Sequence, residues 1–407
     1  MSGDRRAYVP SGVGGSVSRL ARRGRLIATG WSRRTRLVVG LATAALLTTT
    51  TMVALAEEGG PCSPPVNPIA CENSLPGTPA STWDITGAGD PSIQGFATDI
   101  SVNGGGTVQF KIKTDSTSYE VQIYRLGWYN GDGARLVDTV EPSASLPQTQ
   151  DDCAWAEGPE TLDCATWAVS ASWPVPSTAV SGVYIARLHR LDTEGDSHIP
   201  FVVRDDASTS PVFFQTSDST WQAYNAYGGS SFYTGGEHGR AYKVSYNRPF
   251  ATRGDNGGRD FLFANEYPMI RFLERNGYDV SYTTNVDSHR RGNLIANHDM
   301  FLSVGHDEYW SGQQRANVEA ARDAGVNLAF FSGNEVFWKT RWEASTDGSN
   351  TAYRTMVCYK ETWANESNDP ATEWTGTYRD PRFTPPATGG GSPECWVRWK
   401  RGTGRSG

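Results

Sequence analysis

The chain has 407 residues, with 37 Lys plus Arg against 44 Asp plus Glu and a net charge of −7. Residues 1–56 hold nine of the arginines and a single acid, so the remainder carries 28 basic and 43 acidic side chains, net −15. A surface of that sign without a basic stripe repels a phosphate backbone and argues against nucleic acid as a partner, while the length allows two domains with cores of their own.

From the amino terminus, an arginine-rich segment leads into LVVGLATAALLTTTTMVALA, residues 37–56, and then two glutamates. A basic region, an apolar region and a small-residue end predict an export signal over 1–56, with a retained membrane anchor as the alternative. SRRTRL, residues 32–37, resembles an imperfect twin-arginine motif, a route that exports folded proteins. Secretion, or an extracytoplasmic location, is the expectation. Residues 57–90 are rich in Pro, Gly and Ser and predict a surface arm. Cys62 and Cys71 bracket a short loop there, and Cys153 and Cys164 bracket another, so in an oxidising compartment both pairs are candidate disulfides. Cys358 and Cys395 remain, and the spacings match no zinc site.

Between 91 and 205 the pattern alternates. GTVQFKIKT places Val108, Phe110 and Ile112 on one face, and SYEVQIYRLGWY does the same with Tyr119, Val121 and Ile123. SGVYIARL and HIPFVVRD follow, with NGGG and NGDG as turns, which predicts a β-sandwich. DDASTSP, 205–211, reads as a boundary. Beyond it PVFFQTS, YDVSYTT, MFLSV and VNLAFFS are continuous apolar strands. NEYPMIRFLERNG forms a helix with Pro268 at its start and Gly277 at its end. Ser311 and Gln314 have capping-box spacing for a second helix that Gly325 can close. Buried parallel strands alternating with helices predict an α/β layered domain over 211–390. The tail 391–407 is atypical, turning basic and losing apolar period. A reading frame lost just before Cys395 is one of its two readings, a native tail the other.

HDEYW, 306–310, follows MFLSV, so His306 and Glu308 lie beyond the carboxyl end of a predicted parallel strand, the edge where α/β sheets bind ligands. An extended His-x-Glu points both side chains to one side. Glu308 could hold a hard cation with His306 beside it, or both could ligate; a structural histidine and solvated carboxylates are the competing reading. Asp307 suits the helix start. Asn334 and Glu335 follow the next strand, making Glu335 a further candidate. STWQAYNAYGG, 219–229, brings Tyr224 and Tyr227 to another strand end, where aromatics pack, line a carbohydrate site or, as phenolates, ligate ferric iron. No GxGxxG follows a strand, and no P-loop or GxSxG elbow is present, which argues against a nucleotide cofactor and a serine hydrolase.

Taken together, SGVYIARL, TSDSTWQAYNAYGG, HDEYW and SGNEVFW resemble the large (beta) subunit-like family of N,N-dimethylformamidase, C-terminal domain, in an exported actinobacterial-type form, over roughly residues 90–390. The resemblance implies a β-sandwich followed by an α/β domain like that of class I glutamine amidotransferases. It also implies a mononuclear Fe(III) held by two tyrosines and a glutamate, hydrolysing the C–N bond of a small amide. Carried over by motif, the glutamate is Glu308 and the catalytic histidine His306. One tyrosine is Tyr224, with Tyr227 as its rival, and the other is Tyr184 of SGVYIARL. The family's further acidic residue finds no matching motif among Glu361, Glu366 and Glu373. A companion small subunit and a homo-oligomer both stay open as partners. Two other classes compete: a secreted carbohydrate- or surface-binding protein, favoured by 14 Trp and 17 Tyr, and an inactive, truncated homologue. A cysteine hydrolase built on Cys358 lacks the glycine pattern of a nucleophile elbow.

Overall fold

The computed structural model describes residues 60–361 and 367–380. The expected export signal, residues 57–59 of the arm, Glu366, Cys395 and the tail lie outside the described residues. Those residues fall in a single compact unit spanning Gly59–Gly407. The unit is built mostly of sheet with few helices, and none of its described helices is long and apolar enough to cross a membrane.

Ten strands come first: β1 (Ile93–Ala97), β2 (Ser101–Asn103), β3 (Thr107–Thr114), β4 (Tyr119–Leu126), β5 (Ala134–Val140), β6 (Ala154–Ala156), β7 (Thr161–Asp163), β8 (Ala171–Pro174), β9 (Gly182–Arg190) and β10 (Asp196–Arg204). They make a three-stranded sheet, β1-β3-β8, a five-stranded sheet, β2-β10-β9-β4-β5, and the small β6-β7 hairpin. In β3, burial alternates with period two, and Val108, Phe110 and Ile112 point inward as their spacing requires. Those side chains meet Val121 and Ile123 of β4, Tyr184, Ala186 and Leu188 of β9, and Phe201 of β10 in one apolar cluster between the two sheets.

The five-stranded sheet is buried on its second face as well. Tyr124 and Leu126 of β4, Val183 and Ile185 of β9, and Val202 of β10 belong to a different cluster, shared with the downstream layer. This is why β9 and β10 read as nearly unbroken apolar runs rather than as strict alternation. The contact also carries a fully buried ion pair. Arg125 of β4 donates from both terminal nitrogens to Glu274 at 2.8 and 2.9 Å, and Tyr282 and Asn73 donate to the same carboxylate at 2.8 Å.

The arm is pinned to this packing at a few points. Asn67 caps the helix Pro68–Asn73, accepting from the backbone of Ile69 and Ala70, and its amide donates to Gly277 O at 2.8 Å. Ile69 and Trp83 are buried in the shared cluster. The Cys62–Cys71 and Cys153–Cys164 disulfides are both formed, and Cys358 is free and buried.

Downstream, β11 (Val212–Gln215), β13 (Val280–Thr283), β14 (Met300–Gly305) and β16 (Asn327–Ser332) form a parallel sheet in the order β13-β11-β14-β16. The four apolar runs read from the sequence are these four strands. Helices Tyr267–Arg275, Asn285–Arg290 and Gly312–Asp323 lie between them in the chain. The Ser311/Gln314 capping box is made in both directions, at 3.1 and 3.4 Å.

A second four-stranded sheet has no counterpart in the sequence reading. It consists of β12 (Lys243–Ser245), β15 (Tyr309–Ser311), β17 (Trp338–Glu343) and β18 (Thr355–Val357) in the order β12-β18-β17-β15. The three residues 306–308 are the link by which the chain leaves β14 in one sheet and enters β15 in the other.

Candidate metal and proton-transfer site

The link begins at Gly305, whose φ of +88° is a conformation that L side chains rarely adopt; a Cβ there would stand 2.6 Å from Asn265 Cβ. From this turn, His306, Asp307 and Glu308 alternate in direction. Asp307 turns into the layer and is fully buried, accepting from Gln215 Nε2 at 2.7 Å, Ser303 Oγ at 2.7 Å and Asn285 Nδ2 at 2.9 Å. Burial nonetheless pushes its pKa up to about 6. Its role is to anchor the link, not to begin the following helix. The backbone of the link is tied down as well. Glu308 N–H donates to Thr220 Oγ1 at 3.0 Å, and Glu308 O accepts from Phe337 and Trp338 N–H at 3.0 and 2.9 Å.

Glu308 points the other way, is 4% exposed, and gathers donors from three separate segments. Tyr224 OH donates to Oε2 at 2.9 Å. Tyr233 OH lies 3.3 and 3.2 Å from the two oxygens, and Trp338 Nε1 donates to Oε1 at 3.1 Å. Tyr224 is the C-cap of the short helix Asp218–Ala223 that follows β11. Phe232 N–H donates back to Ala223 O at 3.0 Å, which folds the next loop onto the helix end and stacks the two tyrosine rings with centroids 4.2 Å apart. Behind Tyr233, Tyr309 OH donates to its phenol oxygen at 2.7 Å. Burial first, and the Glu308 charge second, push the pKa values of Tyr224, Tyr233 and Tyr309 well above the ordinary phenol value.

Lys360, fully buried, sets its ammonium 3.6 Å from the Tyr233 ring centroid and donates to Phe232 O at 3.1 Å. Burial pushes its pKa down to about 7. His306 completes the group. Its Nε2 lies 3.3 Å from Glu308 Oε2 and its Nδ1 2.6 Å from Asp260 Oδ1. Burial opposes charge on this imidazole, but the Asp260 hydrogen bond and the carboxylates of Glu308 and Asp260 outweigh it and raise the pKa.

Of the residues singled out from the sequence, His306, Glu308 and Tyr224 come together, and three others do not. Tyr184 lies in the cluster between the two upstream sheets, packed on Trp173 and Phe201, with its hydroxyl on Val180 O at 2.8 Å. It is held there because β9 places residue 184 on the inner face. Tyr227 sits in the turn after Asn225 and packs against the Cys164 and Trp167 cluster. Glu335 is exposed; its neighbour Asn334 is the residue that reaches the site, with Nδ2 3.3 Å from His306 Nε2. Tyr233, Trp338, Asp260 and Lys360 were missed. Tyr233 lies in SSFYTGG, just past the stretch ending at Gly229, and a second phenol in the same glycine-bounded loop is the signal that could have found it.

Among the described residues, no group of three or more His, Cys, Asp or Glu side chains could hold a metal. The donor set at Glu308 is of another kind: two phenols and one carboxylate, all hard oxygens, with each phenol within hydrogen-bond distance of the carboxylate. Such a set fits a hard, highly charged cation, because a strong positive charge is needed to ionise phenols that partial burial and the Glu308 charge hold well above their ordinary pKa.

No curated protein matches the chain. Among solved structures, an uncharacterized protein from Bacillus anthracis str. Ames is 16% identical, covering 26% of this chain and 82% of its own, with a TM-score of 0.18. Domain 1 of VCBP3 from Branchiostoma floridae is 13% identical, covering 28% and 96%, with a TM-score of 0.17. Residues 120–394, which contain every residue of the site, match the family model described as N,N-dimethylformamidase beta subunit-like, C-terminal, and the chain belongs to that family.

Proposed function

We propose that Tyr224, Tyr233 and Glu308 bind ferric iron and that the site hydrolyses the C–N bond of a small amide, with His306 carrying the proton. The observation behind this reading is the convergence of two phenol oxygens on one buried carboxylate beside an imidazole. The family's name supplies the reaction class, and the parallel sheet with its helices supports the amidotransferase-like layering expected from the sequence. Tyr233 takes the place the sequence reading gave to Tyr184.

A bound ferric ion would supply Lewis acidity toward the amide carbonyl and a water molecule. The chain supplies the rest. Trp338 fixes the Glu308 carboxylate, and the stack of Tyr224 on Tyr233 fixes the two phenols beside it. In hydrolysis an O–C bond forms from water and the C–N bond breaks. His306 takes the proton that water loses and returns it to the departing amine through Nε2, the ring atom facing Glu308. The two disulfides, with the amino-terminal pattern, support passage through an oxidising compartment.

The test is metal analysis and a visible spectrum of the full chain purified from iron-replete cells, with N,N-dimethylformamide as the probe substrate. Bound iron, a tyrosinate charge-transfer band that disappears in Tyr224→Phe, and release of formate with dimethylamine are expected. Colourless protein without tightly held iron would overturn the proposal.

A further inference from the structure

The two ring nitrogens of His306 face different surroundings. Nε2 looks toward Glu308 and Asn334, and Nδ1 looks toward Asp260, which the sequence reading did not single out. Asp260 arrives from a segment 46 residues away in sequence. Its segment is folded back by Gly257 and Gly258, at φ of +68° and +70°. The next residue, Phe261, is buried and packs on Trp221 and Phe250 with centroids 5.5 and 5.8 Å apart. Asn265 Nδ2 also donates to the Arg259 carbonyl. The carboxylate is thus held from both sides in sequence, and its one ion-pair partner among the described residues is His306.

We propose that Asp260 is a positioning residue that fixes the tautomer and ring plane of His306. An ionised carboxylate can only accept, so the nitrogen 2.6 Å from it must carry hydrogen. The neutral ring is then the Nδ1–H form, with its lone pair on Nε2, facing Glu308 and the place where an amide would react. Were Asp260 only a tether for its own loop, the tautomer of His306 would not depend on it. The catalytic consequence rests on the function proposed above; the tautomer rests on the Asp260 geometry alone.

The test has two arms that fail separately. In the first, the metal-free full chain is labelled with ¹⁵N-histidine, and the His306 signals are assigned by their loss in His306→Gln. Long-range ¹⁵N–¹H correlations in the pH range where the ring is neutral should show Nδ1–H. Asp260→Ala should move the ring to Nε2–H, the form favoured by a free imidazole, with little change in thermal midpoint. A tautomer that does not change on removing Asp260 would overturn the proposal. Should the Ala variant not fold, Asp260→Ser, whose hydroxyl is too short to reach Nδ1, carries the same comparison. In the second arm, the iron-loaded chain acts on N,N-dimethylformamide. Asp260→Ala should lower kcat by about 10–100-fold, as loss of an outer-shell partner typically does, with KM nearly unchanged. A loss confined to KM, or none, overturns the catalytic consequence. A wild-type chain without amidase activity refutes the proposed function, and the tautomer measurement still decides the role of Asp260.

Discussion

Replacing Tyr233 with Phe separates what geometry assigns from what the sequence alone suggested. The substitution deletes one oxygen and leaves the ring, so the stack on Tyr224 and the Lys360 contact persist. Two consequences follow from the structure. Tyr309 OH, fully buried, loses the acceptor it meets at 2.7 Å, which costs the metal-free protein about 1–3 kcal/mol. The proposed iron site loses one of three protein ligands, so affinity should fall by more than the roughly 10–100-fold typical of an outer-shell partner. The control is Tyr184→Phe, which removes only the hydrogen bond to Val180 O and should cost about 1 kcal/mol without touching the metal. Urea titration of the metal-free proteins reads the first consequence; iron content and the visible spectrum read the second. If Tyr184→Phe abolishes the visible band while Tyr233→Phe keeps it, the assignment made from hydrogen-bond geometry is wrong.

Glu274→Gln keeps the side-chain shape but leaves Arg125 buried without its counter-charge, and should destabilise the chain by about 3–5 kcal/mol in denaturant titration; a loss below 1 kcal/mol contradicts the buried pairing. Gly305→Ala forces a Cβ into the left-handed region and against Asn265; a loss of more than about 1 kcal/mol is expected, together with lost iron binding, because the link carrying His306 and Glu308 must shift. Burial raises the pKa of Asp218 from 3.8 to about 7. Between those values the unfolded chain has released a proton that the folded chain keeps. Its contribution is therefore complete below pH 4 and is lost as pH rises from there through 7, at about 1.4 kcal/mol per pH unit. The stability difference between wild type and Asp218→Asn, measured across that range, should show this slope; a pH-independent difference would contradict it.

Much of the scaffold could be read from the sequence because its strands are long enough to show a period. β3 alternates over eight residues, and the apolar runs of β11, β13 and β14 are the buried strands of a parallel sheet, whereas β16, apolar as well, is its partly exposed edge. The second downstream sheet escaped notice for the opposite reason. β12, β15 and β18 have three residues each, too few for any period, and they pair only because loops bring them together. Composition did not show how the arm docks. Pro and Gly do mark its turns, but Ile69 and Trp83 are the residues that decide its place, and single apolar side chains in a polar stretch carry no periodic signal. The site divides the same way. His306 and Glu308 were legible as a short-range pair, whereas Tyr233, Trp338 and Asp260 reach Glu308 or His306 by tertiary closure across 75, 30 and 46 residues.

The adjacent carboxylates Asp307 and Glu308 show why that closure matters more than residue type. Both are nearly excluded from water, and the extended link turns them in opposite directions. Asp307 meets two side-chain amides and a hydroxyl, donors that can satisfy it permanently and that have nothing to exchange. Glu308 meets two phenols, an indole and an imidazole. Three of those four can give up a proton, so the carboxylate has neighbours that can become anionic or neutral as charge arrives beside it. A one-residue slip in the link would exchange the two environments, placing the proton-rich donors around a structural acid and the inert ones around the site. The Gly305 turn, the Thr220 contact and the paired amides of Phe337 and Trp338 all act on the backbone of this link. The register of three residues, fixed by those contacts, is therefore what makes one of two neighbouring acids available for chemistry.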